Sequence, residues 1–220
     1  MEHYQRFEED LDILNALSLN SFRFSIEWSR IEPEEGVWNE AEVEHYRKYI
    51  RELKKRNIEP ILNLWHWTNP VWFEQKGAFK YRKNIHYFER FVQKVADEYA
   101  VDLKYIITLN EALVYSSFSY MVPDVLSNIR WTPGEKNPIS LIRVLSNLAY
   151  AHKKSYAILK KSRSTLQVGI AAQLGNVQAK DPHHLLDEIS TKLMRYFWNW
   201  WFLNRVRNEQ DFVGINYYFT

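Results

Sequence analysis

Cysteine is absent from the 220 residues. That excludes a disulfide framework, a thiolate metal site and a cysteine nucleophile. It fits a reducing compartment, and the chain is read as cytoplasmic. No apolar run approaches the roughly 18 residues of a membrane span, so no membrane contact is expected. The polar, acidic N-terminus does not read as a signal peptide. Glycine is scarce, with 6 residues, and no glycine-rich phosphate loop follows any predicted strand. This argues against a Rossmann or P-loop unit. Charge of one sign is also missing. Lys and Arg number 29 against 27 Asp and Glu, for a net +2, and the basic residues are scattered. Nucleic acid is therefore excluded as the expected partner. His183 and His184 are adjacent, without the i, i+4 spacing of a zinc helix, and read as a solvated loop. No metal or cofactor is expected.

What is present is a soluble globular composition, 46% apolar and 25% charged, long enough for one sizeable core. Aromatics are abundant: 9 Trp, 14 Tyr and 12 Phe. Such rings serve either a packed core or a sugar-stacking surface. Apolar residues at helical spacing predict helices over 3–18, 40–56, 84–100, 139–161 and 184–206. Between them, runs rich in β-formers predict strands over 21–28, 59–67, 104–111, 167–172 and 211–220. A long loop with three prolines is predicted from about 115 to 138, and loops of that length are usually functional. Strands alternating with helices imply a parallel sheet with right-handed crossovers. No linker interrupts the pattern, so residues 1–220 read as a single domain.

Polar residues collect near the C-terminal ends of the predicted strands: Arg23, Glu27 and Trp28, then His66 and Trp67, then Asn110 and Glu111, then Asn216 and Tyr218. In a β/α barrel that edge carries the active site. Each residue has a plainer reading on its own. Arg23 could pair with Glu27, and a lone strand histidine is commonly a hydrogen-bonded core residue.

Four stretches occur in a recognisable order: Phe22-Arg-Phe-Ser-Ile-Glu-Trp-Ser-Arg-Ile, Leu64-Trp-His-Trp-Thr-Asn-Pro-Val-Trp, Thr108-Leu-Asn-Glu and Asp211-Phe-Val-Gly-Ile-Asn-Tyr-Tyr. On these the chain resembles family 1 glycoside hydrolases, the β-glucosidase and β-galactosidase type. The resemblance implies an α/β fold of the (β/α)8 TIM-barrel type, incomplete here, with strands two to six of the barrel. It implies a retaining β-glycosidase, or the acid/base-bearing part of one, acting on a β-glycoside or small oligosaccharide. Residue by residue, it makes Glu111 the general acid/base. Asn110 would bond the sugar 2-hydroxyl, His66 and Trp67 would hold the glycone, and Asn216 would line the subsite near Glu111. Arg23 and Tyr218 would support the nucleophile.

The sequence departs from the family pattern in three places. The nucleophile motif Thr-Glu-Asn-Gly does not occur, nor does the Glu-Trp pair that follows it, nor the first strand with its sugar-binding Gln. Ala112 stands where the family has proline after the acid/base. The segment before Asp211 is short. The 220 residues alone are therefore expected to be inactive or nearly so. A fragment of a longer product is the preferred account, beside a split protein or a non-catalytic sugar-binding remnant. Open barrel edges would favour self-association or a complementing chain.

Overall fold

A computed structural model of the chain describes residues 2–121 and 131–218. Residues 122–130 of the predicted loop and 219–220 of the last predicted strand lie outside the described residues. Helix α1 (His3–Ala16) precedes strand β1 (Ser21–Ser25), where alternation sorts the side chains. Phe24 turns outward and packs on Tyr49 with ring centroids 4.8 Å apart, while Arg23 turns inward. The predicted strand over 21–28 ends early. The Glu27 side chain accepts from the Ser29 backbone N–H at 3.3 Å and caps a short helix, α2 (Trp28–Ile31). A capping carboxylate satisfies one of the orphan donors at a helix start, so Trp28 enters the core from a helix.

Helix α3 (Glu40–Lys55) is capped by Asn39 and ends in Lys54 and Lys55, which suits the helix dipole. Strand β2 (Glu59–Asn63) follows, and regular pairing stops at Asn63 where the pattern predicts Trp67. Beyond it Leu64 N–H still donates to Ile107 O at 2.8 Å. The chain then turns through Trp67, whose φ is +78°. Helix α4 (Val71–Gln75) lies in the connection between the second predicted strand and the third predicted helix, and α5 (Ile85–Tyr99) buries Phe88, Phe91, Val92 and Val95 along one face. Strand β3 (Tyr105–Asn110) leads into α6 (Ala112–Tyr120). Most of α6 is buried, so it shows little of the periodicity by which a surface helix is recognised.

Asn137 caps the long helix α7 (Pro138–Ser162), with proline at its first position, where a missing N–H costs nothing. Strand β4 (Gln167–Gln173) is followed by α8 (Leu185–Arg195), a π-helical turn at Tyr196–Trp200, α9 (Trp201–Val206) and strand β5 (Phe212–Asn216). The five strands are all parallel and lie in chain order, β1-β2-β3-β4-β5. With helices on the outside this is part of a (β/α)8 barrel, as predicted. Gly169 on β4 allows the close approach of β5: a Cβ there would sit 2.3 Å from Phe212 O. On the outer face of β5, Val213 and Ile215 remain exposed.

Candidate active site

The inward side chains of β1, β3 and β5 meet at the C-terminal edge of the sheet. Asn110 and Glu111 are buried there. Glu111 takes a left-handed backbone, φ +46°, as β3 turns into α6. Such a conformation costs a non-glycine residue roughly 1–2 kcal/mol and is concentrated at functional sites. The turn aims the carboxyl across the sheet. Asn216, from the end of β5, donates its amide to Glu111 Oε1 at 2.6 Å and to Asn110 Oδ1 at 3.2 Å. Arg23 donates to the same Asn110 oxygen at 2.5 Å. Asn110 Nδ2 lies 3.1 Å from His66 Nε2, and Trp67 donates its indole N–H to Asn110 O at 2.8 Å. Tyr218 hydrogen-bonds the Glu111 carboxyl.

The seven residues given site roles, Arg23, His66, Trp67, Asn110, Glu111, Asn216 and Tyr218, therefore gather at the Glu111 carboxyl, with Asn110 as the hub, whereas Glu27 caps a helix and Trp28 is in the core. Arg23 does not pair with Glu27. The Glu27 carboxyl accepts from Ser29 and, at 2.8 Å, from Thr68.

The electrostatics are those of a partly dry site. Burial, the largest influence, pulls the Arg23 guanidinium below its usual range, and the Glu111 carboxylate acts against it. Burial likewise lowers the His66 pKa, helped by the Arg23 charge, which favours a neutral imidazole that both gives and accepts hydrogen bonds. Burial first, then the charge of Glu111, raises the Tyr218 phenol and keeps it protonated.

Beside this cluster lies a cleft of about 450 Å³, within the range of small-ligand pockets. His66 and Trp67 line it together with Asn69, Glu74, Tyr115 and Trp131. Trp131 meets Trp67 edge-on with ring centroids 4.5 Å apart. Asn69, Glu74, Tyr115 and Trp131 were not singled out in the sequence. Glu74 and Asn69 sit in and before a short helix that the pattern reads as loop. The one usable signal was the density of aromatic and polar residues just after the second strand. On the other side of Glu111, Trp198 donates its N–H to Gln173 Oε1 at 2.5 Å, closing a narrow slot that Val114 and Ala172 also line. No cluster of metal-ligating side chains occurs among the described residues.

The parallel sheet thus carries a buried carboxyl at its C-terminal edge, ringed by amides, arginine and aromatics. The family model described as Glycosyl hydrolase family 1 matches residues 1–212, and the chain belongs to that family. A β-glycosidase structure from Pyrococcus horikoshii superposes with a TM-score of 0.90 at 30% identity, covering 98% of this chain and 52% of that one. β-Glucosidase A of Acetivibrio thermocellus is 30% identical over 79% of this chain and 38% of its own length. A 6-phospho-β-galactosidase of Leptotrichia buccalis is 29% identical over 87% of this chain and 40% of its own. The chain spans about half the length of the curated relatives it matches.

Proposed function

We propose that these residues form the acid/base-bearing part of a retaining β-glycosidase acting on β-linked O-glycosides such as β-glucosides. The observation that carries this reading is the 2.6 Å bond from Asn216 to Glu111, with Asn110 beside it. It fixes a buried carboxyl at the barrel edge and surrounds it with groups suited to sugar hydroxyls. Retaining hydrolysis uses two carboxyls about 5–5.5 Å apart. The first protonates the departing glycosidic oxygen while the second forms a glycosyl ester. The first then removes a proton from the attacking water.

Glu111 takes the first role. Asn110 bonds the 2-hydroxyl, His66 and Trp67 hold the glycone, and Arg23 and Tyr218 flank the second carboxylate. The 220 residues hold no Thr-Glu-Asn-Gly motif, so by themselves they supply only the first carboxyl. A complementing chain or segment would pair along β1 or β5, where Val213 and Ile215 offer an apolar face. The relatives' names leave two glycone classes open, neutral and phosphorylated.

The test is hydrolysis of 4-nitrophenyl β-D-glucoside by the purified 220-residue chain, with binding of methyl β-D-glucoside measured alongside. The expected result is binding that Asn110→Ala abolishes, with turnover several orders of magnitude below that of a complete enzyme. Turnover by the pure chain that survives Glu111→Gln would overturn the assignment.

A further inference from the structure

Trp65, His66 and Trp67 grip Asn110 in turn. Trp65 O accepts the Asn110 backbone N–H at 3.1 Å, His66 Nε2 lies 3.1 Å from Asn110 Nδ2, and Trp67 donates its indole N–H to Asn110 O at 2.8 Å. The hub of the site is therefore only as well placed as the turn over 65–67. That turn is strained, because Trp67 sits at φ +78°. A non-glycine residue keeps such a backbone only where its surroundings over-determine it.

The constraint runs through Asn69. Trp65 is buried and held edge-on against Phe79 and Tyr115, with centroids 5.2 and 4.7 Å away. Its indole N–H can only donate, and it donates to Asn69 Oδ1 at 2.8 Å. That bond closes a five-residue loop with Trp67 at its centre. It also fixes which way the Asn69 amide points, so Nδ2 is left to donate onward, and it does so to Glu74 Oε1 at 2.5 Å. Glu74 belongs to α4, whose start is anchored on Pro70: the N–H groups of Phe73 and Glu74 donate to Pro70 O at 3.0 and 3.1 Å. Pro70 in turn disfavours helical backbone at Asn69. The strained residue thus lies between two fixed points that one side-chain bond ties together.

We propose that Asn69 is a positioning residue for the sugar site: by closing the loop over Trp67 it holds Trp67 and His66 against Asn110, and Glu74 locks the Asn69 amide in the orientation that does so. Opening the loop lets Trp67 relax toward negative φ and withdraws its indole from Asn110 O. Asn110 then loses the restraint that aims it at a sugar hydroxyl. The assignment rests on the glycosidase reading and adds to it the residues that set the geometry of that site.

The experiment reads the 220-residue chain in two ways. Titration with methyl β-D-glucoside gives the affinity. Hydrogen exchange of the Trp67 indole proton, assigned by its loss from the proton–nitrogen spectrum of Trp67→Phe, reads the bond to Asn110 without any sugar. Asn69→Ala and Trp65→Phe should each weaken binding and speed the indole exchange, both by about tenfold. Trp65 is only 1% exposed. Trp65→Phe keeps the buried ring and deletes the donor, so it separates positioning from contact with the ligand. The double variant should bind no more weakly than Asn69→Ala, because both changes cut one path. Glu74→Ala should show a smaller loss of the same kind, and Glu74→Gln, which keeps an acceptor for Asn69, should restore most of it. Urea unfolding verifies that each variant is folded where it is measured.

Unchanged indole exchange in folded Asn69→Ala overturns the assignment. So does wild-type affinity in folded Trp65→Phe, which would make Asn69 a ligand contact or a staple for α4. If Trp65→Phe does not fold, the Glu74 pair decides: Glu74→Gln as impaired as Glu74→Ala overturns the relay. If the indole exchange responds as expected but the wild type binds no sugar, the glycosidase reading falls and takes the sugar role of Asn69 with it.

Discussion

Asn216 and Glu111 are joined by a 2.6 Å hydrogen bond between residues 105 positions apart in sequence. The strands that carry them are not neighbours, since β4 lies between β3 and β5. The contact therefore spans the inner face of the sheet. It works only while the left-handed turn at Glu111 and the tight β4–β5 approach at Gly169 both hold. The same two strands are clamped from outside by α7. Its buried His152 meets Thr108 Oγ1 at 2.6 Å and Glu209 O at 2.5 Å.

Asn216→Ala should loosen Glu111. A hydrogen bond to a charged group contributes about 1.5–3 kcal/mol. β5 is an edge strand and only partly buried, so a loss of about 1–2 kcal/mol is expected in urea unfolding. Affinity for methyl β-D-glucoside should fall roughly tenfold. Calorimetric titration reads the second effect independently of the first.

His152 predicts an acid-sensitive fold. Burial lowers its pKa from 6.5 to about 4. The facing charged groups are Lys153 on α7, which also disfavours protonation, and Glu209 before β5, which opposes the shift. The stability from keeping the ring neutral is complete above pH 6.5 and is lost as pH falls toward 4. Its full size is roughly 3 kcal/mol. Urea unfolding at pH 7.5, 5.5 and 4.5 should show this decline, and His152→Gln should be less stable at pH 7.5 with a flatter acid limb.

Glu32 is fully buried. It pairs with Arg90 and accepts from Trp28 Nε1 and Gly36 N, each at 2.8 Å. Removing one partner of a buried pair strands the other charge at a cost of about 3–5 kcal/mol. Arg90 is partly exposed, so Arg90→Ala should cost nearer 3 kcal/mol. The double variant Glu32→Gln/Arg90→Ala should recover part of that loss in the same unfolding measurement.

Trp67 is held at φ +78°, a conformation glycine adopts freely. Trp67→Ala and Trp67→Gly should both lose sugar binding. Of the two, the glycine variant should be the more stable, by about 1 kcal/mol, because the alanine keeps the backbone penalty. Thermal unfolding of the pair provides the comparison.

The helices and the parallel strand order were legible because long periodic segments and regular alternation are local signals. Glu111, Asn110 and Asn216 could be named because they end β-forming runs at one edge of the sheet. Three short helices were not legible. Trp28 continues the alternation of β1, so nothing marked the capped turn at Glu27. Val71–Gln75 is too brief for a period to appear. Ala112–Tyr120 is buried over most of its surface. Glu74 escaped notice for a related reason. It is joined to the cleft through the Trp65–Asn69–Glu74 hydrogen bonds, which are a property of three-dimensional placement. The pairing of Tyr218 with Glu111 likewise joins residues far apart in sequence, so no local signal announces it.

The most direct test of the central assignment is a fluorescence titration of the 220-residue chain with methyl β-D-glucoside, using the site tryptophans as reporters. A saturable change in the wild type, lost in Asn110→Ala and weakened in Glu111→Gln, is the predicted result. No saturable change in the folded wild type, or one that Asn110→Ala leaves intact, would contradict a sugar site organised around Glu111.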